Sequence, residues 1–211
     1  MITPYDCIVV ANGSFPVLAE ALSLLEAASV IIACDGAVGS LCRKGFVPTA
    51  IVGDLDSIPG DLRLRYADRL HAVAEQDTND LTKAIGFAVA SGLTDVLILG
   101  ATGLREDHTL GNISLLLDYA RTLRRVEMLS DFGLFTPLLR TGTLTSKKGQ
   151  QVSVFSPHPE VEIVNTEGLR WPIRKRTLTS WWQGSLNEAL GDTFTIVLSG
   201  GGVIVYRLFV D

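Results

Sequence analysis

Short apolar runs rich in β-branched residues recur through the first two thirds of the chain, at Cys7–Val10, Val30–Ala33, Ala50–Val52, His71–Ala74, Asp95–Leu99 and Val126–Leu129. Between them apolar residues return at the three-and-four spacing of one buried helix face. The clearest sets are Leu81, Ala84, Ile85, Ala88 and Val89, then Leu110, Ile113, Leu116, Leu117 and Ala120. Strands alternating with helices predict a mostly parallel, doubly wound sheet, because a crossover helix returns the chain to begin each parallel neighbour.

Past Leu134 the pattern changes. Gln151–Phe155, Val161–Val164, Arg170–Ile173, Thr193–Leu198 and Val203–Phe209 read as strands separated by Gly, Pro, Asn and Ser, which predicts antiparallel β structure. Ser199-Gly200-Gly201-Gly202 is expected to be a hairpin loop, and Lys147–Gln150 a turn leading into a strand. The chain therefore divides into an α/β domain over residues 1–134 and an all-β antiparallel sandwich over residues 135–211.

Composition narrows the function classes. Of 211 residues 47% are apolar, enough for a substantial core. The formal net charge is −5 and the basic residues are scattered, so no nucleic-acid or anionic-membrane surface is expected. Apolar stretches such as Val96–Ala101 are too short to span a bilayer, and no basic segment precedes an apolar one at the N-terminus; a cytoplasmic protein is expected. Cys7, Cys34 and Cys42 are odd in number and lack Cys-x-x-Cys spacing, as reduced thiols do. His71, His108 and His158 have no Cys or His at ligand spacing, which argues against zinc.

In open α/β sheets ligands bind beyond the carboxyl ends of the strands, so the residues that follow each apolar run carry the information. Here they are carboxylates: Asp35, then Asp54 and Asp56, then Asp77 and Asp80, then Glu106 and Asp107. One aspartate after a strand is commonly a helix cap or a turn residue. Four successive strand ends delivering carboxylates to one rim would repel one another without a cation. Magnesium suits such a set, since it takes hard oxygen ligands and shares them with phosphates. Asp54 and Asp56 would face opposite ways on an extended strand, but a turn can converge them. Lys83 and Arg105 lie near the same rim. Lys83 could equally pair with Asp80 at i, i+3, and Arg105 could be a plain loop arginine. No Gly-x-x-x-x-Gly-Lys-Ser/Thr loop occurs, which excludes a P-loop enzyme.

Taken together, Asp35-Gly36-Ala37, Gly53-Asp54-Leu55-Asp56-Ser57, Gln76-Asp77-Thr78-Asn79-Asp80-Leu81-Thr82-Lys83 and Gly100-Ala101-Thr102-Gly103-Leu104-Arg105-Glu106-Asp107-His108 resemble the thiamine pyrophosphokinases in order and spacing. The resemblance implies an N-terminal α/β domain for ATP and magnesium and a C-terminal β-sandwich for thiamine, in a homodimer with the thiamine site near the interface. It implies that Asp54, Asp56 and Asp80 are metal and catalytic carboxylates, that Lys83, Arg105 and Asp107 are further catalytic groups, and that Asp35, Gln76, Ser57 and Thr78 contact substrate. Gly168-Leu169-Arg170-Trp171 and Gln183-Gly184-Ser185-Leu186-Asn187-Glu188 look like the family's thiamine-side motif, which adds Trp171, Ser185 and Asn187. Two departures stand out. Leu186 occupies a position where the family more often has Ser, so the pyrimidine contact falls to Ser185, Asn187 or backbone; Ala101-Thr102 replaces a commoner Gly and apolar residue.

The chemistry of those residue types agrees. Thiamine carries a thiazolium cation and a flat aminopyrimidine, which an aromatic wall and one polar side chain can hold. Trp171, Trp181 and Trp182 are the only tryptophans, and each could instead serve the sandwich core or a dimer interface. The expected reaction is in-line attack of the thiamine hydroxyl on the β-phosphorus of ATP, releasing AMP. Two rivals remain: a haloacid-dehalogenase-type phosphatase, whose nucleophile would be expected where this chain has Asn12-Gly13, and a non-catalytic nucleotide- or thiamine-sensing module.

Overall fold

The structure is a computed structural model that describes residues 5–158 and 160–209. The chain separates into two compact units, one comprising residues 1–113 and 122–131, the other residues 114–121 and 132–211.

In the first unit six strands form a parallel array: β1 (Cys7–Val10), β2 (Ile31–Cys34), β3 (Ala50–Gly53), β4 (Leu70–Ala72), β5 (Asp95–Leu99) and β6 (Arg125–Leu129). Their order is β6-β5-β1-β2-β3-β4, and every pairing is parallel. Strands β1, β2, β3 and β5 are buried at every position, which is why they read as unbroken apolar runs rather than alternating ones. The crossovers carry α1 (Ala19–Ala27), α2 (Ala37–Arg43), α3 (Gly60–Arg65), α4 (Asp80–Ala90) and α5 (Glu106–Ser114).

Helix α4 shows why the sequence folds as it does. Asn79 caps it, its side-chain oxygen accepting the Thr82 N–H at 2.9 Å. Leu81, Ala84, Ile85 and Ala88 are buried as their spacing predicts, with Leu81 and Ile85 contributing about 1.5–3 kcal/mol each. Val89, assigned to the same face, is 40% exposed because it sits at its edge. The second helical pattern is not one helix. It breaks at Leu115 into α5 and α6 (Leu116–Thr122); Ile113, Leu116 and Leu117 are buried, whereas Leu110 is 55% exposed.

The second unit is a sandwich of two antiparallel sheets, ordered β12-β9-β14-β7 and β11-β10-β13-β8. The strands are β7 (Gly133–Leu138), β8 (Gly142–Thr145), β9 (Gln151–Phe155), β10 (Glu162–Glu167), β11 (Arg174–Thr177), β12 (Asn187–Glu188), β13 (Thr193–Leu198) and β14 (Val203–Leu208). Alternate residues of both sheets meet in the core, with Val152, Val154 and Val205 from one and Ile163, Phe194 and Ile196 from the other. From Gly133 onward the strands are antiparallel as expected, although most of α6 belongs to the same unit, and the turn at Lys147–Gln150 is present, closed by the Gln150 N–H on the Lys147 carbonyl at 2.9 Å.

Two expectations are corrected. Arg170–Ile173 is not a strand: Pro172 lacks an N–H for a ladder, and the strand β11 starts at Arg174. Ser199–Gly202 is not a hairpin loop, because β13 pairs with β8 and β10 while β14 pairs with β7 and β9; the glycines carry the chain from one sheet to the other.

Candidate active site

From β1 the chain builds β2, β3 and β4 to one side and β5 and β6 to the other, so the switch point lies between β1 and β5. Residues of the loops that follow both strands line one cleft, the usual ligand position in such a sheet. The two loops are also tied together: the Gly13 N–H donates to the Gly100 carbonyl at 2.7 Å and the Ser14 N–H to the Thr102 carbonyl at 2.9 Å. Glycine is required at Gly13, where a Cβ would lie 2.5 Å from the Gly100 oxygen.

A cleft of about 500 Å³ opens here, and Asp54, Ser57, Gln76, Thr78, Asp80, Lys83 and Arg105 all line it. At Asp54 the cleft meets a carboxylate cluster, in which Asp35, Asp54 and Asp56 each bring an oxygen to within 4.8 Å of the others. Leu55, at φ 68°, makes that possible, since a left-handed residue between Asp54 and Asp56 turns a strand end into a loop that converges them. The loop is held by the Asp56 N–H on Asp54 Oδ1 at 3.3 Å and by the Arg63 guanidinium on the Leu55 carbonyl. At Gly53 a Cβ would fall 2.7 Å from the Asp35 Cβ, so only glycine lets the carboxylates draw this close.

Charge is crowded in this corner. Asp35 is 2% exposed; its Oδ2 accepts the Ser57 N–H at 3.2 Å, and its Oδ1 is buried without a donor among the described residues. Burial pushes the Asp35 carboxyl up to about 6, and the charges of Asp80 and Asp54 push the same way. Burial also raises Asp80, against the opposing pull of Lys83. Asp54 goes the other way, held low by the Asp56 N–H and the Gln76 amide, which reaches it at 3.4 Å. Three converging carboxylates, one with an unserved buried oxygen, form a hard-oxygen set that fits magnesium.

Around this corner stand the cations. The Lys83 side chain is only 2% exposed and its Nζ lies 3.5 Å from Asp80 Oδ1, so the i, i+3 pair and the cleft position both hold. Arg105 and Asp107 form a two-pronged pair, Nε to Oδ1 at 3.1 Å and a terminal nitrogen to Oδ2 at 2.5 Å. That pair holds the Asp107 carboxyl at about 2. Asp107 thus orients Arg105. Two further predicted contacts turn toward neighbours: the Ser57 hydroxyl donates to Asp56 Oδ1 at 2.8 Å, and the Thr78 hydroxyl donates to Glu75.

The predicted thiamine-side residues gather in the second unit, where a cleft of about 410 Å³ is lined by Trp171, Arg174, Arg176, Gln183, Ser185 and Asn187 among others. Trp171 is 55% exposed and Asn187 is 6% exposed. Asn187 holds Trp171 from both sides: Oδ1 accepts the Trp171 N–H at 3.1 Å and Nδ2 donates to the Trp171 carbonyl at 2.7 Å. Its Oδ1 also accepts the Glu188 N–H at 2.9 Å, so three of its four hydrogen bonds go to backbone. The Ser185 hydroxyl donates to the Trp182 carbonyl at 2.7 Å. Leu186 stands exposed between them in the left-handed region at φ 58°. Trp181 packs on Phe155 with ring centroids 5.7 Å apart, whereas Trp182 is largely exposed.

Sequence reasoning passed over Arg63 and Asn112. Arg63 lies in a short charged helix with no pattern to mark it, and its partner is a backbone oxygen. Asn112 is a polar position on a helix read for its apolar face; it lines the cleft and bonds both Asn79 and the Ala101 carbonyl.

Comparison with known proteins covers both units. Residues 21–128 match the family described as "Thiamin pyrophosphokinase, catalytic domain", and residues 133–206 match "Thiamin pyrophosphokinase, substrate-binding domain". The chain is 27% identical over 181 residues to the Bacillus subtilis protein named "Thiamine pyrophosphokinase", covering 81% of this chain and 83% of that one. It is 31% identical over 149 residues to "Thiamine pyrophosphokinase 2" of Arabidopsis thaliana, covering 62% of this chain and 54% of that longer relative. In fold it is similar to the thiamin pyrophosphokinase crystal structures from Geobacillus thermodenitrificans (TM-score 0.79, 24% identity, 97% and 98% of the two chains) and yeast (TM-score 0.77, 15% identity, 99% and 88%). None of these supports the phosphatase or the sensing module. With both of its parts matched in chain order, the chain belongs to the thiamin pyrophosphokinase family and is a transferase that uses ATP to pyrophosphorylate thiamine.

Proposed function

We propose that residues 1–134 bind ATP with magnesium and carry the catalytic groups, and that residues 135–211 bind thiamine. The observation that carries this is the convergence of Asp35, Asp54 and Asp56 beside a cleft that also receives buried Lys83. Asp54 and Asp56 are the metal ligands; Asp35 converges with them, and Asp80, the third ligand expected from the sequence, stands against Lys83 in the same cleft. When bound there, magnesium supplies charge neutralisation for the phosphate oxygens.

The chain's own groups do the rest. Lys83 and Arg105 balance the charge that builds toward the leaving phosphate, and Asp107 keeps Arg105 in place. Gln76, Ser57 and Thr78 line the path of the polyphosphate. The thiamine hydroxyl oxygen attacks the β-phosphorus in line; the bond from that phosphorus to the oxygen it shares with the α-phosphorus breaks, AMP leaves with that oxygen, and the hydroxyl proton passes to a carboxylate of the set. No covalent enzyme intermediate is involved. Trp171 presents an exposed aromatic face for the thiamine rings, with Ser185, Asn187 and their backbone at its edge.

We further propose a homodimer with the thiamine cleft near its interface, and a cytoplasmic location. Among the described residues no helix is long and apolar enough to cross a membrane, and Cys7 and Cys34 are buried thiols. Sedimentation at micromolar concentration tests the dimer. The assay for the reaction is purified protein with ATP, magnesium and thiamine, analysed by chromatography with and without a chelator. AMP and thiamine diphosphate appearing in equal amounts, and only with magnesium, is the expected result; ADP with thiamine monophosphate would move the attack to the other phosphorus.

A further inference from the structure

We infer that Asn79 and Asn112 form a two-amide relay that positions the two cationic walls of the cleft relative to each other. This inference rests on the reading of the cleft as the phosphate site. One wall is the start of α4, with Asp80 and Lys83; the other is the loop after β5, with Arg105.

Between them runs a chain of hydrogen bonds whose direction is fixed at one end. Asn79 Oδ1 accepts both the N–H and the hydroxyl of Thr82, at 2.9 and 2.8 Å, so its amide nitrogen must face away from the helix. That nitrogen donates to Asn112 Oδ1 at 3.2 Å. Asn112 is thereby oriented in turn, and its own nitrogen donates to the Ala101 carbonyl at 2.9 Å. Each middle position needs a donor on one atom and an acceptor on another, which a side-chain amide supplies at both.

The relay crosses three elements: α4 through Asn79, α5 through Asn112, and the loop after β5 through Ala101. The loop it anchors leads to Leu104, at φ 64°, and then to Arg105, so a shift at Ala101 is passed on to that guanidinium. A misplacement of about 1 Å among groups holding a reacting phosphate costs on the order of 10²-fold in rate. Asn79 and Asn112 are therefore positioning residues, acting through Lys83 and Arg105.

The test separates positioning from helix capping. Asn79→Ser keeps a good cap but its hydroxyl is too short to reach Asn112, whereas Asn79→Ala loses cap and relay together. Expected are losses in kcat of about 10- to 100-fold in both variants and in Asn112→Ala, with the KM for ATP nearly unchanged. Asn79→Ala, which loses the cap, and Asn112→Ala, which strands the buried Ala101 carbonyl, should show a lower Tm, whereas Asn79→Ser should not. In the double variant Asn79→Ser with Asn112→Ala the loss should be no greater than in the worse single one, because a relay is broken once. Wild-type-like kcat in Asn79→Ser, activity that follows Tm across the series, or losses that multiply in the double variant would overturn the inference. The wild-type assay run alongside keeps this distinct: a wild type that forms no AMP and thiamine diphosphate fails the parent reading, whereas an active wild type with an equally active Asn79→Ser fails the relay alone.

Discussion

The two clefts solve opposite problems. In the α/β unit the cleft corner is left electrostatically incomplete, with crowded carboxylates and a buried oxygen that has no donor among the described residues. In the β unit's cleft the Asn187 and Ser185 side chains are turned onto backbone, and what is left open is an exposed aromatic face. A site built for charge keeps unserved polar groups, whereas a site built for a flat ring needs a rigid wall.

The contrast is sharpest at Asp56. Asp56→Asn should lower turnover by about 10³-fold with the fold intact, checked by the AMP and thiamine diphosphate assay and by circular dichroism. Normal activity would remove the metal assignment. In the other cleft the effects should appear in binding. Trp171→Ala is expected to raise the KM for thiamine about tenfold or more, with kcat little changed, since one aromatic–cation contact is lost. Asn187→Ala should raise the same KM several-fold and also destabilise the fold by roughly 1–3 kcal/mol, because it strands the Trp171 backbone groups. Equal effects on the KM for ATP would erase the distinction between the clefts.

Two smaller effects concern stability. Asp35→Asn should raise the Tm of the metal-free protein by about 2–4 °C, since one buried charge is removed from a crowd, while abolishing any shift produced by added magnesium. Just before β1, Asp6 Oδ2 accepts the N–H groups of Asp95 and Thr94, each at 2.9 Å, and they hold its carboxyl below the usual range. Its stabilisation is therefore full above the ordinary carboxylate pKa of about 3.9 and is lost as pH falls through the lower folded value. Asp6→Asn should reduce Tm slightly at pH 7, with the gap closing in acid.

Much of this was legible in the sequence because buried parallel strands leave a plain mark: β1, β2, β3 and β5 were readable to within a residue or two from apolar runs alone. The aspartates that follow them were readable for the same reason. The sandwich was harder. Short, half-exposed strands such as β8 and β11 carry no clean alternation, and whether Ser199–Gly202 folds back or crosses between sheets depends on partners far along the chain. Within the site, the converging geometry of Asp54 and Asp56 depends on the φ of Leu55, and the grip of Asn187 on Trp171 depends on tertiary contact; no spacing rule contains either.

The pairing of β1 with β5, which sets Val10 opposite Leu99, also dictates an order of events during synthesis. Until residues near 100 have left the ribosome, β1 presents an unpaired apolar edge and the Gly13 loop has nothing to rest on. A nascent chain stopped before β5 should therefore fail to retain nucleotide; one extended through α5 should gain the partner of β1 and the support of the Gly13 loop in a single step, and the apolar edge then moves to β5 until β6 is made.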